Sequence, residues 1–132
     1  MKKGMLNDEI AQAIKSLGYA KEKITADAAE KKSIAEIKRN GIYRIRPAEK
    51  GPNSVVQGVN FLKEFKIVVD DRCVKTIEEL ENYTYKKDKA TNEYTNEPVD
   101  SYNHCIDAIR YAVEEINGKG TVKGVISRNR LF

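Results

Sequence analysis

Three residues of this 132-residue chain have types and settings that could do chemistry: His104, Asp107 and Asp27. His104 is the sole histidine. It lies in the stretch Pro98 to Ala112, which reads Pro-Val-Asp-Ser-Tyr-Asn-His-Cys-Ile-Asp-Ala-Ile-Arg-Tyr-Ala. His104 and Asp107 are three positions apart, so on a helix they share a face, about 60° apart around the axis. Such a helix presents a proton-handling ring beside an anion from its first two turns. The spacing by itself is weak evidence, because a packed histidine and a solvated aspartate satisfy it as well. Asp27 follows Ile24-Thr25-Ala26, a short apolar strand candidate. In open α/β sheets, ligands gather outside the carboxyl ends of strands. Aspartate is also ordinary loop chemistry at such a place.

The elements that must hold these residues can be read along the chain. Pro98 with Asp100 or Ser101 as N-cap predicts a helix from about Asp100 to Ile116. Its apolar face is expected at Cys105, Ile109, Ala112 and Ile116, with His104 and Asp107 bordering it. Gly118-Lys119-Gly120 is read as its end. The tail to Phe132 carries Lys123, Arg128 and Arg130 but little core signal.

Nearer the start, Leu6, Ile10, Ala13, Ile14 and Leu17 form an amphipathic stripe, with Asn7 or Asp8 as cap and Gly18 at the stop. Ser33-Ile34-Ala35-Glu36 reads as a capping box for a helix to about Asn40, stopped by Gly41. Ile42 to Arg46 alternates and ends at Pro47, a second strand candidate. Ser54-Val55-Val56-Gln57 opens another helix, with Val55, Val59, Leu62 and Phe65 on its face. Ile67-Val68-Val69 is a third strand candidate. Thr76-Ile77-Glu78-Glu79 starts a helix with Ile77 and Leu80 inward, and Tyr83 to Glu97 reads as a two-stranded ribbon. Strands alternating with capped helices argue for an α/β domain with some parallel pairing. Residues 1–117 form the domain in this reading, and residues 118–132 a tail.

Composition bounds the rest. With 40% hydrophobic and 33% charged residues, the chain suits one compact soluble domain. No apolar run approaches the length that spans a bilayer. The start, Met-Lys-Lys-Gly-Met-Leu-Asn-Asp, has no apolar h-region of a signal peptide. Cys73 and Cys105 lack metal-ligand spacing, which fits a reduced, intracellular protein. A net charge of +4 permits a polyanionic partner without demanding one.

Asn103 to Ala112 resembles the last helix of the nuclease domain in large terminase subunits of tailed phages and prophages. Thr25 to Ile34 is similar to the family segment in which a central strand delivers an acidic ligand. Arg46 to Val55 resembles the family's basic Lys-Gly loop before a capped helix, and Tyr83-Thr84-Tyr85-Lys86 its hairpin entry. The resemblance covers roughly residues 4–117, and the joint order of the short motifs makes it specific. It implies an incomplete ribonuclease-H-like fold, a mixed sheet with flanking helices. The first β-meander, whose first strand carries a further catalytic aspartate in the family, has no counterpart ahead of Asp27. No Gly-x-x-x-x-Gly-Lys-Ser/Thr motif of an ATPase motor occurs either. The chain therefore reads as a C-terminal piece of a large terminase, cut short by design or in a truncated prophage reading frame.

The resemblance implies metal-dependent endonuclease cleavage of concatemeric double-stranded DNA during genome packaging. Two-metal catalysis needs ions roughly 4 Å apart, held by carboxylates. Mg²⁺ or Mn²⁺ would suit the oxygen ligands Asp27 and Asp107, which are expected to converge on a shared ion. His104 would be a ligand, an orienter of water or a proton carrier. Lys50, Lys86 and Lys87 are the expected phosphate contacts, although surface lysines are commonly just solvated. Lys89 belongs to the same set of loop and ribbon cations. The small terminase subunit and the portal would be partners of the full-length protein in the bacterial cytoplasm. Two other readings stay open. One is an incomplete module that only binds DNA or packaging proteins, its exposed sheet edge covered by a second copy. The other is a resolvase or integrase of the same fold.

Overall fold

The computed structural model describes residues 4–117. The chain divides into two compact units, Met1–Lys50 and Gly51–Phe132. The expected end of the last helix at Gly118-Lys119-Gly120 and the tail beyond it lie outside the described residues.

The first unit is built on α1 (Asn7–Ser16), β1 (Ile24–Ala26), α2 (Lys31–Arg39) and β2 (Ile45–Pro47). Ala11, Ile14, Ile34, Ile37, Ile42 and Ile45 close its core, with Ile10, Ala20, Ile24 and Ala26 packed against them. The strands pair in parallel, Ile24 opposite Ile45 and Ala26 opposite Pro47. Parallel strands need a crossover, and α2 supplies it. Both helices end in the motif that a left-handed C′ glycine permits. Tyr19 N–H donates to Ile14 O and Gly18 N–H to Lys15 O, with Gly18 at φ +83°. Ile42 N–H and Gly41 N–H repeat the pattern onto Ile37 O and Lys38 O, with Gly41 at φ +103°.

Two expectations for this unit need correction. The stripe on α1 is narrower than expected, with Leu6 and Leu17 exposed and Ala11 buried. The helix starts at Asn7, and Glu9 Oε2 reaches back to accept the Leu6 N–H at 2.9 Å. Ser33 does not cap α2, because a 3-10 turn at Ala28–Glu30 starts the helical winding earlier.

The second unit holds α3 (Ser54–Lys63), α4 (Val74–Asn82), the antiparallel pair β3 (Tyr85–Lys87) and β4 (Tyr94–Pro98), and α5 (His104–Asn117). Val59, Tyr83 and Ile106 form its buried centre, with Leu80, Tyr85 and Val99 packed against it. Asp88 O accepts the Asn92 N–H at the tip of the hairpin, with Asn92 at φ +57°. An asparagine tolerates that left-handed conformation better than most residues. Parallel and antiparallel pairings thus occur in separate two-stranded sheets among the described residues.

Residues 67–69 form no strand, and Val68 is 83% exposed. Three β-branched residues supply β propensity, but without a partner ladder the propensity is overridden. On α3, Val59, Phe61 and Leu62 are buried while Val55 and Phe65 are exposed. Asn53, at φ +60°, precedes α3 and makes no side-chain cap. The residue buried on α4 is Glu79, with Ile77 and Leu80 only partly covered. Among the described residues no helix is long and apolar enough to cross a membrane.

Candidate functional site

β1 carries its last residue, Ala26, against the first core, and Asp27 then turns the chain outward. Its carboxylate is a turn-former: Oδ1 accepts the Ala29 N–H at 3.0 Å and so starts the 3-10 turn that leads into α2. Lys50 Nζ stands 2.5 Å from the same oxygen. Both side chains are about half exposed. The ammonium of Lys50 holds the Asp27 carboxyl below its usual range, and the Ala29 N–H adds to this. Among the described residues no hydrogen bond reaches Oδ2. A hard oxygen donor is therefore present at the carboxyl end of a parallel strand, where the sequence placed it.

Asp107 is held in a different way. α5 begins at His104, so Asp100 and Ser101 do not cap it. Asp100 pairs instead with Lys86 at 3.1 Å. The cap comes from another helix: Glu79 Oε2 accepts the Cys105 N–H at 2.6 Å and the Ile106 N–H at 3.1 Å. Those first-turn N–H groups have no partner within α5, and a buried carboxylate satisfies them while complementing the positive end of the helix dipole. The buried face of α5 is also turned by one residue from the expected one. Ile106 is fully buried and Arg110 is 7% exposed, while Ile116 is 58% exposed. Cys105 and Ile109 are only partly covered, and Ala112 is exposed.

This rotation gives Asp107 its neighbour. Arg110 Nη2 and Nε donate to Asp107 Oδ1 at 2.9 and 3.3 Å, and Arg110 Nη1 donates to Ser54 O at 3.4 Å. The arginine stem passes against Gly58 of α3, where a Cβ would stand 2.8 Å from Arg110 Cδ. Asp107 is partly buried. Its Oδ2, like that of Asp27, takes no hydrogen bond among the described residues. His104 is exposed at the first position of α5.

The expected phosphate contacts fall in three settings. Lys50 is engaged with Asp27. Lys86 lies between Glu97 and Asp100, at 3.9 and 3.1 Å. Lys87 is exposed, its Nζ 5.0 Å from the centre of the Tyr94 ring. Among the described residues no group of three or more His, Cys, Asp or Glu side chains stands ready to hold a metal ion together. Each candidate ligand is therefore characterised by its own surroundings.

Sequence reasoning missed Glu79, Arg110 and Gly58. Periodicity registers apolar residues, and the two side chains that organise α5 from inside are charged. The one available signal was the i, i+3 spacing of Asp107 and Arg110, which permits an ion pair on a helix.

Residues 1–115 match the family described as the terminase RNAseH like domain. The chain is 38% identical over 119 residues to the large terminase subunit of Bacillus phage SPP1, covering 85% of this chain and 27% of that protein. It is 37% identical over 116 residues to the PBSX phage terminase large subunit of Bacillus subtilis (strain 168), covering 84% of this chain and 25% of that protein. The chain thus spans about a quarter of the length of the curated relatives it matches. Among solved structures it is similar to the nuclease domain of the g2p large terminase from bacteriophage SPP1 with bound Mn. The TM-score is 0.78 at 34% identity, over 86% of this chain and 65% of that one. The likeness bears out the α/β, ribonuclease-H-like fold expected from the order of short motifs. With the family match running from the first residue to within α5, the chain belongs to the ribonuclease-H-like nuclease domain family of terminase large subunits.

Proposed function

We propose that this chain is the divalent-metal-dependent endonuclease module of a large terminase subunit, cutting concatemeric double-stranded DNA during genome packaging. The observation that carries the reading is its similarity, over 86% of its length, to a terminase nuclease domain with bound Mn. The donor chemistry agrees. Asp27 and Asp107 are hard oxygen ligands of the kind Mg²⁺ and Mn²⁺ prefer. Each engages the protein through Oδ1 and keeps Oδ2 for another partner.

A pair of such ions, when bound, would supply Lewis acidity at the scissile phosphodiester and a nucleophilic water. The residues of the chain do the rest. Asp27 and Asp107 act as metal ligands. His104, exposed one turn ahead of Asp107, acts beside it as a ligand or as the group that holds a proton. Lys50 turns from Asp27 to a DNA phosphate when that carboxylate serves as a ligand. Lys86 and Lys87 contact phosphates from the hairpin, which gives little sequence preference and strong salt dependence. In the full-length protein the small terminase subunit and the portal would be partners, in the cytoplasm of the bacterial host. A second copy would pair along a sheet edge.

The test is cleavage of supercoiled plasmid by the purified chain with Mn²⁺, beside Asp27→Ala, Asp107→Ala and a chelator control. Nicking or linearisation is expected, falling to background in either variant and absent with the chelator. Cleavage that survives Asp107→Ala would overturn the assignment of that ligand. A chain that binds DNA without cutting it would be a binding module.

A further inference from the structure

We infer that Arg110 is a positioning residue, and that with Gly58 and Glu79 it sets the carboxylate of Asp107 for its ion. The inference rests on the reading of Asp107 as a metal ligand and adds what makes that ligand competent.

Three observations carry it. First, Arg110 is buried, which is rare for an arginine unless its donors are spoken for. Here Nε and Nη2 both donate to one oxygen of Asp107, and Nη1 donates to the backbone of α3 at Ser54. The guanidinium is planar, so fixing it at Ser54 O also fixes where Asp107 Oδ1 must lie. A carboxylate with Oδ1 pinned has one remaining freedom, and Oδ2 is the atom left for a cation.

Second, the path of the arginine is built. A Cβ on residue 58 would meet Arg110 Cδ at 2.8 Å and Cγ at 3.3 Å. Glycine in mid-helix is unfavourable for α3, so its presence there is accounted for by the close approach of this stem. Third, Glu79 holds the end of α5 from which Asp107 projects, through the Cys105 and Ile106 N–H groups. The helix start and the carboxylate are both fixed within the first turn, each by a buried charged side chain.

The sign of the effect separates positioning from mere proximity. A guanidinium that only stood near an ion site would repel the cation, and its removal would tighten binding. A guanidinium that orients the ligand weakens binding when it is lost. Partners that orient metal ligands are typically worth 10- to 100-fold in affinity.

The experiment is Mn²⁺ binding to the whole chain, read by electron paramagnetic resonance of free Mn²⁺, with circular dichroism melting as the check on folding. The variants are Arg110→Met, Arg110→Lys, Gly58→Ala and Asp107→Asn. Arg110→Met is expected to weaken Mn²⁺ binding about 10-fold, with Arg110→Lys recovering part of the loss. Gly58→Ala keeps the charge but displaces the stem, and should weaken binding in the same direction. Should Arg110→Met fail to fold, Gly58→Ala and Arg110→Lys decide the matter by the same sign. Binding that is lost in Asp107→Asn yet unchanged or tighter in the folded position-110 and position-58 variants overturns the positioning role alone. Absence of Mn²⁺ binding by the unaltered chain, or binding indifferent to Asp107→Asn, overturns the reading of the ligand and the positioning role with it.

Discussion

Asp27 and Asp107 each anchor one carboxylate oxygen on the protein and are held by opposite means. Asp27 sits in an exposed corner, tied to a turn N–H two residues on and to a half-exposed lysine. Asp107 is tied to a buried arginine on a helix whose start is fixed by a buried glutamate. Exposed ion pairs are worth little and rearrange cheaply. Buried ones are costly to break, because the surviving partner keeps its desolvation penalty. The comparison teaches that one carboxylate is adaptable and the other preset. The first can exchange Lys50 for another cation with little loss of fold. The second depends on interior structure staying intact.

The largest effect should come from the interior. Glu79→Ala leaves the Cys105 and Ile106 N–H groups without their acceptor. Bonds from N–H groups to a charged acceptor are worth about 1.5–3 kcal/mol each, and water can reach the partly exposed Cys105 end. A loss of about 2–4 kcal/mol in urea unfolding is expected. Glu79→Gln, which keeps an oxygen but not the charge, should lose less. Equal and negligible losses in both would break the comparison, since α5 would then be held as loosely as the Asp27 corner.

A smaller effect separates the same regions by pH. Tyr83 is 1% exposed, and burial pushes its hydroxyl up to about 12, with the charge of Asp107 adding to the shift and Arg110 opposing it. The unfolded chain ionises this group near the ordinary value of 10.0. Its contribution to stability is therefore complete below that value and is lost as the pH rises from there through about 12. A shift of about two units corresponds to at most about 2.7 kcal/mol. Tyr83→Phe should remove this slope. The measurement is the difference between the two proteins' urea midpoints at about pH 9 and about pH 11.5, in which the common titration of lysines cancels. Parallel midpoints would mean that the hydroxyl is not desolvated.

The two regions also differ in how far the sequence revealed them. The strand and turn of the Asp27 corner were legible, because their determinants are local, whereas its tie to Lys50, 23 residues on, was not. An apolar triplet makes a strand, an aspartate makes the turn after it, and Gly18 and Gly41 mark helix ends by the left-handed backbone they allow. The α5 region was legible in kind but not in orientation. Its buried face was assigned to Cys105, Ile109, Ala112 and Ile116 because those residues are apolar, whereas Ile106 and Arg110 are the ones inside. An arginine counts as solvent-facing in any hydrophobic periodicity, so a buried one turns the inferred face by one residue, about 100°. Glu79 was hidden for the same reason, and its tie to α5 spans 26 residues of sequence. The strand expected at Ile67-Val68-Val69 failed on a different count. Composition reports readiness to pair, while a strand also needs a neighbour.

The smallest effect tests the adaptable side directly. Lys50→Met removes a half-exposed ion pair, and its cost should stay below about 1 kcal/mol. The readout that matters is the Asp27 carboxyl, followed by carbon NMR as the pH is lowered. In the unaltered chain it titrates below the ordinary carboxylate value of 3.8, chiefly because of Lys50 and next because of the Ala29 N–H. The stabilisation tied to this group is complete above that ordinary value and disappears as the pH falls through the lower, folded one. In Lys50→Met the titration should move back towards the ordinary value but not reach it, since Ala29 still donates. High salt, about 1 M, should reproduce part of that movement, because exposed charges are screened within a few ångströms at that strength. An Asp27 that ignored both changes would be held by its turn alone. The corner would then be as preset as α5, and Lys50 would have no carboxylate to leave for a phosphate.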